Sequence, residues 1–153
     1  MPAAAHSLRI PEPLESEIQR ELARRGSTEW SAGVLALLDE AVRVSRAPGI
    51  VFVDSRTGRR AAVAHSGLEA WEIVATWIEG GRSWPKLVEA YPELSDIQLR
   101  SAINYYALYP AEIDARLTRE AEWTPERVAR ELPFTQVSTT TPAVPPRPAR
   151  RRK

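Results

Sequence analysis

Residues 80–109 read GGRSWPKLVEAYPELSDIQLRSAINYYALY, and this stretch predicts two helices joined by a tight turn. The Gly80-Gly81 pair ends the preceding helix, because glycine adopts a left-handed backbone without a clash at Cβ. Pro92 stops the first helix of the stretch, since proline lacks the N–H that a helix interior requires. Ser95 begins the second helix, and Gln98 three residues later completes the pattern of a capping box. The spacing is that of a helix-turn-helix motif.

The second of these helices has an apolar and a polar face at helical spacing. Its polar face carries side-chain types that hydrogen-bond to base edges and phosphates. We therefore predict that this helix binds DNA through Gln98, Arg100, Ser101, Asn104 and Tyr105. Two other interpretations remain open. The face could be an ordinary solvated surface, or it could bind a partner protein, because Ile97 and Leu108 lie on the same side.

Length, composition and charge narrow the class of protein. At 153 residues the chain can hold one ordinary domain or two small ones, and the absence of cysteine excludes disulfides and thiolate metal sites. No apolar run approaches the roughly 20 residues of a membrane span, and the first residues lack the pattern of a signal peptide, so we expect a cytoplasmic protein. The last seven residues, RPARRRK, carry five positive charges. Since the whole chain has a net charge of +1, the remaining residues have a net charge of 1 − 5 = −4. Any binding of nucleic acid by the folded part therefore needs local basic patches.

The first 46 residues predict a short strand followed by two helices. Residues 5–11 (AHSLRIP) alternate as a strand does, a helix opened by Pro13 follows, and Ser27 or Thr28 caps a second, longer helix. A unit of this size, about 45 residues, is too small to bury a core alone, and a solitary strand has no partner for its backbone hydrogen bonds. Both problems disappear if two copies pair their strands and interlock their helices. We therefore predict a homodimer.

This arrangement resembles the ribbon-helix-helix DNA-binding domain over residues 5–46. The resemblance implies that Ser7 and Arg9 on the paired strands read bases in the major groove. It also implies that the N-terminal end of the second helix, at Ser27 and Thr28, holds a DNA phosphate. The alternative is a swapped strand that only dimerises the protein.

The next unit, residues 48–123, combines a β-hairpin with further helices. Turn-forming residues 54–58 separate two short runs, 50–53 and 59–64, and a helix over 67–79 follows. Four motifs then occur in order: Trp71, Tyr91-Pro92-Glu93-Leu94, Ala102-Ile103-Asn104-Tyr105-Tyr106 and Pro110-Ala111-Glu112-Ile113. Together they resemble the domain-of-unknown-function 433 family, in the branch of VapB-type antitoxins with an added strand-helix-helix N-terminus. The resemblance implies a partner, a toxin with a PIN-like ribonuclease fold.

The C-terminal segment carries the predicted toxin contacts. Residues 111–122 continue as a charged helix, and Thr124-Pro125 opens a short amphipathic helix within 124–134. Such a helix can dock in a groove of a partner protein or fold back on its own domain. In the first case the toxin-binding residues are Trp123, Arg127, Val128, Arg130, Leu132 and Phe134. Residues 135–153 have a threonine- and proline-rich composition that predicts a disordered, basic tail.

Catalytic and cofactor patterns are absent from the sequence. Its two histidines, His6 and His65, are not at metal-ligand spacing, and no phosphate-binding loop or nucleophile motif occurs. We therefore expect no enzyme activity, metal, cofactor, small-molecule substrate or membrane contact.

The sequence as a whole predicts a mainly α protein. Its parts are a ribbon-helix-helix-like dimerisation unit, a β-hairpin plus helix-turn-helix unit and a disordered basic tail. The predicted function is that of a type II antitoxin, which binds operator DNA to repress its own operon and neutralises a PIN-like ribonuclease toxin. The alternatives are a transcription regulator without a toxin and a protein-interaction module.

Overall fold

The computed structural model of the chain describes residues 7–55 and 58–132. Within these residues the chain forms seven helices and one two-stranded antiparallel sheet, so the predicted mainly α class is confirmed. None of the described helices is long and apolar enough to cross a membrane. The elements are α1 (Glu12–Arg24), α2 (Trp30–Arg46), β1 (Ile50–Ser55), β2 (Gly58–Val63), α3 (Ala70–Glu79), α4 (Trp84–Ala90), α5 (Asp96–Leu108), α6 (Pro110–Ala121) and α7 (Pro125–Glu131).

The hydrophobic core lies between the β-hairpin and helices α3 to α6. Strands β1 and β2 pair in antiparallel register, with Phe52 opposite Ala61, as the two runs around residues 54–58 predict. Strand β2 buries Ala61 and Val63, and α3 buries Ile73 against them. Helix α5 packs against α3, α4, α6 and both strands, which makes it the central helix of the fold.

Local capping determines where the central helices begin. The backbone N–H of Gln98 donates to Ser95 Oγ, and the N–H of Ser95 donates to Gln98 Oε1 at 3.0 Å, so the predicted capping box of α5 is confirmed. Glu69 and Glu72 form a second capping box at the start of α3. Gly81 follows α3 with a left-handed φ of +72°, in agreement with the expected effect of the glycine pair.

The N-terminal segment differs from the prediction in two respects. Residues 7–11 form no strand, because a strand needs a neighbour for its ladder hydrogen bonds and the single chain supplies none there. Residues 5 and 6 of the predicted strand lie outside the described residues. Glu29 is the N-cap residue of α2, so the prediction that Ser27 or Thr28 caps this helix is wrong. The N–H of Ser27 donates to the carbonyl of Leu22 at 2.9 Å, which keeps Ser27 in the turn after α1.

Helices α1 and α2 attach to the hairpin mainly through ion pairs. Leu22 and Gly33 are the only buried residues of the two helices. Six side chains of alternating charge form a closed ring, with 2.6 to 2.9 Å between the paired nitrogen and oxygen atoms. This charge ring consists of Glu21, Arg24, Arg25, Glu40, Asp54 and Arg59. Hydrogen bonds from Arg24 and Arg25 lower the pKa of Glu21 to about 2, so this carboxylate stays charged at neutral pH.

Candidate interaction surfaces

Of the α5 residues that are predicted to bind DNA, some are exposed and others are buried. Arg100 and Asn104 are exposed, in agreement with the prediction. Ser101 and Tyr105 are buried, so their placement on the polar surface is wrong. The physical reason is that α5 has neighbours on several sides, and its buried arc is therefore wider than that of a helix with one neighbour.

Two polar side chains of α5 are bonded inside the protein. The hydroxyl of Ser101 donates to the carbonyl of Ile97 at 2.8 Å and lies directly against the backbone of Gly49. The Gln98 amide donates through Nε2 to the carbonyl of Ala64 at 3.1 Å, while its Oε1 caps α5. Both side chains therefore position α5, and of the five predicted DNA contacts on this helix only Arg100 and Asn104 present free polar groups to solvent.

Tyr105 is the buried member of a hydrogen-bond network that joins α2 to α5 and α6. Arg43 Nη1 donates to the Tyr105 hydroxyl at 3.1 Å, and this hydroxyl donates to the Glu112 carboxylate at 3.0 Å. Arg43 also pairs directly with Glu112, and its guanidinium carbon lies 4.7 Å from the centre of the Tyr109 ring. Burial, together with the neighbouring carboxylate, raises the pKa of the Tyr105 hydroxyl well above its usual value. Tyr105 is therefore a structural residue, and the sequence gives no local signal for its pairing with Arg43, which lies 62 positions away.

The outward face of α2 carries an unusual number of exposed apolar side chains. Leu35, Leu38 and Val42 are 66%, 49% and 55% exposed, and they follow one another at helical spacing. We call these three residues the α2 stripe. Leu8 and Leu14, before and within α1, are also largely exposed. The α2 stripe is covered by no described part of the chain.

The predicted base and phosphate contacts of the N-terminal unit lie at the surface or close to it. Ser7 and Arg9 are exposed ahead of α1, and Thr28 is exposed ahead of α2. Ser27 is partly buried, and its hydroxyl contacts the carbonyl of Glu29 at 3.4 Å. These positions are sterically open to a large ligand, except at Ser27.

A notch between α3, α4 and α5 is a surface that the sequence did not reveal. It has a volume of about 420 Å³, and its apolar floor is formed by Trp77, Trp84, Ile103 and Ala107. Arg82 and Arg100 stand at its rim, each over the face of one tryptophan. We call it the tryptophan notch. Its residues come from three helices and the turn between α3 and α4, so no single stretch of sequence shows that they meet.

Helix α7 is the described part of the predicted toxin-binding segment. The backbone N–H of Arg127 donates to Thr124 Oγ1 at 3.3 Å, as the Thr124-Pro125 start predicts. The Arg127 guanidinium lies over the Trp123 ring, 4.5 Å from its centre. No residue of α7 is buried, and the exposed or partly exposed side chains include Trp123, Arg127, Val128, Arg130 and Leu132. Phe134 and the predicted tail, 135–153, lie outside the described residues.

The described residues contain no group of three or more histidine, cysteine or acidic side chains that could hold a metal ion. Comparison of the chain with models of protein families, with curated proteins and with solved structures gave no match. The resemblances to the ribbon-helix-helix and 433 families therefore stay predictions.

Proposed function

We propose that the protein is a homodimeric DNA-binding antitoxin, which represses its own operon and neutralises a PIN-like ribonuclease. The observation that carries the proposal is the α2 stripe, a row of large apolar side chains that residues 7–55 and 58–132 leave in water. Exposed apolar patches on folded proteins mark sites of association. A second copy of the chain is the partner that the N-terminal unit requires, because it would supply both a strand for residues 5–11 and a cover for α2.

DNA binding is assigned to the N-terminal unit of this dimer. Pairing of residues 5–11 with the same segment of a second copy would place Ser7 and Arg9 on one face of a two-stranded ribbon, which fits the major groove. The free N–H groups at the start of α2, after Thr28, would bind a phosphate. On α5, Arg100 and Asn104 remain as exposed polar groups, but the rest of that predicted surface is committed to the fold.

Toxin binding is assigned to α7 and the residues around it. Because none of its side chains is buried in the chain's own core, α7 is available to a groove of another protein. Trp123, Val128 and Leu132 would provide the apolar contacts. Arg127 and Arg130 would approach the carboxylates that a PIN-like ribonuclease gathers around its metal ion.

A salt-dependent mobility shift tests the DNA-binding part of this proposal. The full chain is titrated onto the DNA upstream of its own reading frame at several salt concentrations. Binding should weaken steeply with salt, because phosphate contacts release counterions. Arg9→Ala should weaken the shift about tenfold or more, whereas Arg119→Ala, an exposed arginine on α6, serves as a matched control and should have little effect. An equal response of the two variants would remove the ribbon as the DNA-binding element.

Co-expression with the product of the adjacent reading frame tests the antitoxin part. A complex that forms with the full chain and is lost when the chain ends after Ala121 supports a toxin held by residues 122–153, the segment that contains α7. If the adjacent product does not co-purify while the mobility shift persists, the protein is a transcription regulator without a toxin. A third possibility, a protein-interaction module, is favoured by the tryptophan notch.

A further inference from the structure

The tryptophan notch combines an apolar floor with a cationic rim. The indoles of Trp77 and Trp84 stand with Ile103 and Ala107 around a recess of about 420 Å³. The Arg100 guanidinium carbon lies 4.5 Å from the centre of the Trp84 ring, and that of Arg82 lies 5.5 Å from the centre of the Trp77 ring. Both distances are within the range of cation–π attraction, so the two charges are held in place above the apolar surface.

The two rim arginines differ from three of the four other described arginines that stack on aromatic rings, the exception being Arg46 over Tyr109. Arg43, Arg116 and Arg127 each pair with a carboxylate as well as with a ring. Within residues 7–55 and 58–132, Arg82 and Arg100 pair with no carboxylate, and no acidic side chain lines the notch. Their positive charge is therefore not paired with a carboxylate of the described residues.

The backbone at Arg82 adds a second, independent observation. Arg82 has a left-handed φ of +59°, a backbone conformation that residues other than glycine and asparagine rarely adopt. Its N–H donates to the carbonyl of Trp77 at 2.7 Å, which closes the turn after α3. Glycine would fit this position without strain, yet the sequence has an arginine, and its guanidinium is directed over Trp77.

We propose that the tryptophan notch binds an acidic segment of a partner protein. A large apolar side chain of that segment sits between Trp77 and Trp84, and flanking aspartate or glutamate side chains pair with Arg82 and Arg100. The exposed amide of Asn104, at the edge of the notch, is placed to hydrogen-bond to the backbone of the bound segment. This site is independent of the dimer and of the N-terminal DNA contacts.

The shape of the surface favours a protein ligand over DNA. A recognition helix must protrude to enter the major groove of a duplex, whereas here the exposed side of α5 forms one wall of a recess. A duplex keeps its bases stacked on one another and presents base edges, phosphates and sugars, none of which carries a large apolar group to fill a floor made of two indoles and an isoleucine. A peptide that carries both an apolar side chain and carboxylates matches both parts of the site.

Selection of random twelve-residue peptides displayed on phage, with the immobilised full-length chain as target, tests the proposal. We expect enrichment of peptides in which Asp or Glu flanks Phe, Leu, Met or Trp. Synthetic copies of the enriched peptides should shift the indole N–H resonances of Trp77 and Trp84. The indoles of Trp30, Trp71 and Trp123, which lie outside the notch, serve as internal controls.

Three variants make the test specific. Arg82→Gly removes the guanidinium and relieves the left-handed backbone, so the variant should fold at least as well as the wild type. Arg82→Gly and Arg100→Gln should each weaken peptide binding by about tenfold or more, because each removes a charge-assisted contact. Arg119→Gln removes an exposed arginine from α6 and should leave binding unchanged.

Several outcomes would overturn the proposal. They are the absence of enrichment, enrichment of peptides without acidic residues, and binding that Arg82→Gly and Arg100→Gln leave unchanged. The same conclusion would follow if random-sequence duplex DNA, and not acidic peptides, shifted the resonances of Trp77 and Trp84. In that case the notch would be part of a DNA-binding surface.

Discussion

The proposed dimer can be tested by shortening two side chains of the α2 stripe. Leu35 and Leu38 are 66% and 49% exposed, so together they leave rather more than one complete leucine side chain in water. Full burial of a leucine contributes about 1.5–3 kcal/mol. A two-fold dimer buries the pair twice, and alanine retains only Cβ, so the double variant L35A/L38A should lose about 2–4 kcal/mol of association free energy. The dissociation constant of the dimer should then rise about 30- to 1,000-fold.

Sedimentation velocity over a wide range of protein concentrations measures this change. The wild-type chain should sediment as a dimer, and the double variant should dissociate at concentrations where the wild type does not. Alanine is a good helix former, so the helical circular dichroism of the variant should be retained. Ile97→Ala is the matched control, because Ile97 is 76% exposed but lies on α5, away from the α2 stripe. This substitution should leave the mass of the sedimenting species that of the wild-type dimer. A wild-type chain that is monomeric throughout, or a variant that dimerises as well as the wild type, would show that the α2 stripe is not a dimer interface.

Four further predictions concern the fold. Tyr105→Phe removes a buried hydroxyl that bonds two charged groups, so urea titration should show a loss of about 1.5–3 kcal/mol in the free energy of unfolding, and an unchanged value would contradict the network. Gly49→Ala places a Cβ against Ser101 at a φ of +89° and should cost about 1–3 kcal/mol in the same assay; if the substitution costs nothing in a chain that already carries Ser101→Gly, the backbone carries no strain. The pKa of Glu21 is about 2 in the folded chain and about 4.3 in an unfolded one. Its contribution to stability is therefore present at neutral pH and is lost as the pH falls from the higher value to the lower. As the pH is lowered through this range, the midpoint of urea unfolding should fall less steeply for Glu21→Gln than for the wild type. A chain that ends after Ala121 should keep its Tm, because α7 buries no residue, and a clearly lower Tm would show that α7 packs on the body.

The features that the sequence predicted correctly depend on residues close together in the chain. The capping box of α5 needs only Ser95 and Gln98, and the hairpin needs two runs around a set of turn formers. In both cases the interacting groups are identified by spacing alone. The same holds for the start of α7 at Thr124.

The errors have a common physical cause, which is the number of neighbours that a helix has. Helical periodicity separates two faces on the assumption of one buried side, but α5 touches other elements around most of its circumference. Helical spacing therefore predicts that Ser101 and Tyr105 face solvent, although both are buried. The partner that satisfies Tyr105, Arg43, lies on a helix in the other half of the predicted domain organisation. Pairings over such separations leave no trace in a single sequence.

The attachment of α1 and α2 inverts the usual arrangement of a surface helix. In an isolated protein an amphipathic helix turns its apolar side chains inward and its charges towards water. Here the side chains of Arg25 and Glu40, in the charge ring, are only 14% exposed, whereas Leu35 and Leu38 on the same helical unit are about half or more exposed. Charged groups are costly to remove from water, and apolar groups are costly to leave in it. Neither the weakly exposed ion pair nor the exposed leucines therefore stabilise a lone chain. The arrangement becomes favourable when the charge ring sets the orientation of α1 and α2 on the hairpin and the outward apolar face is covered by a second chain.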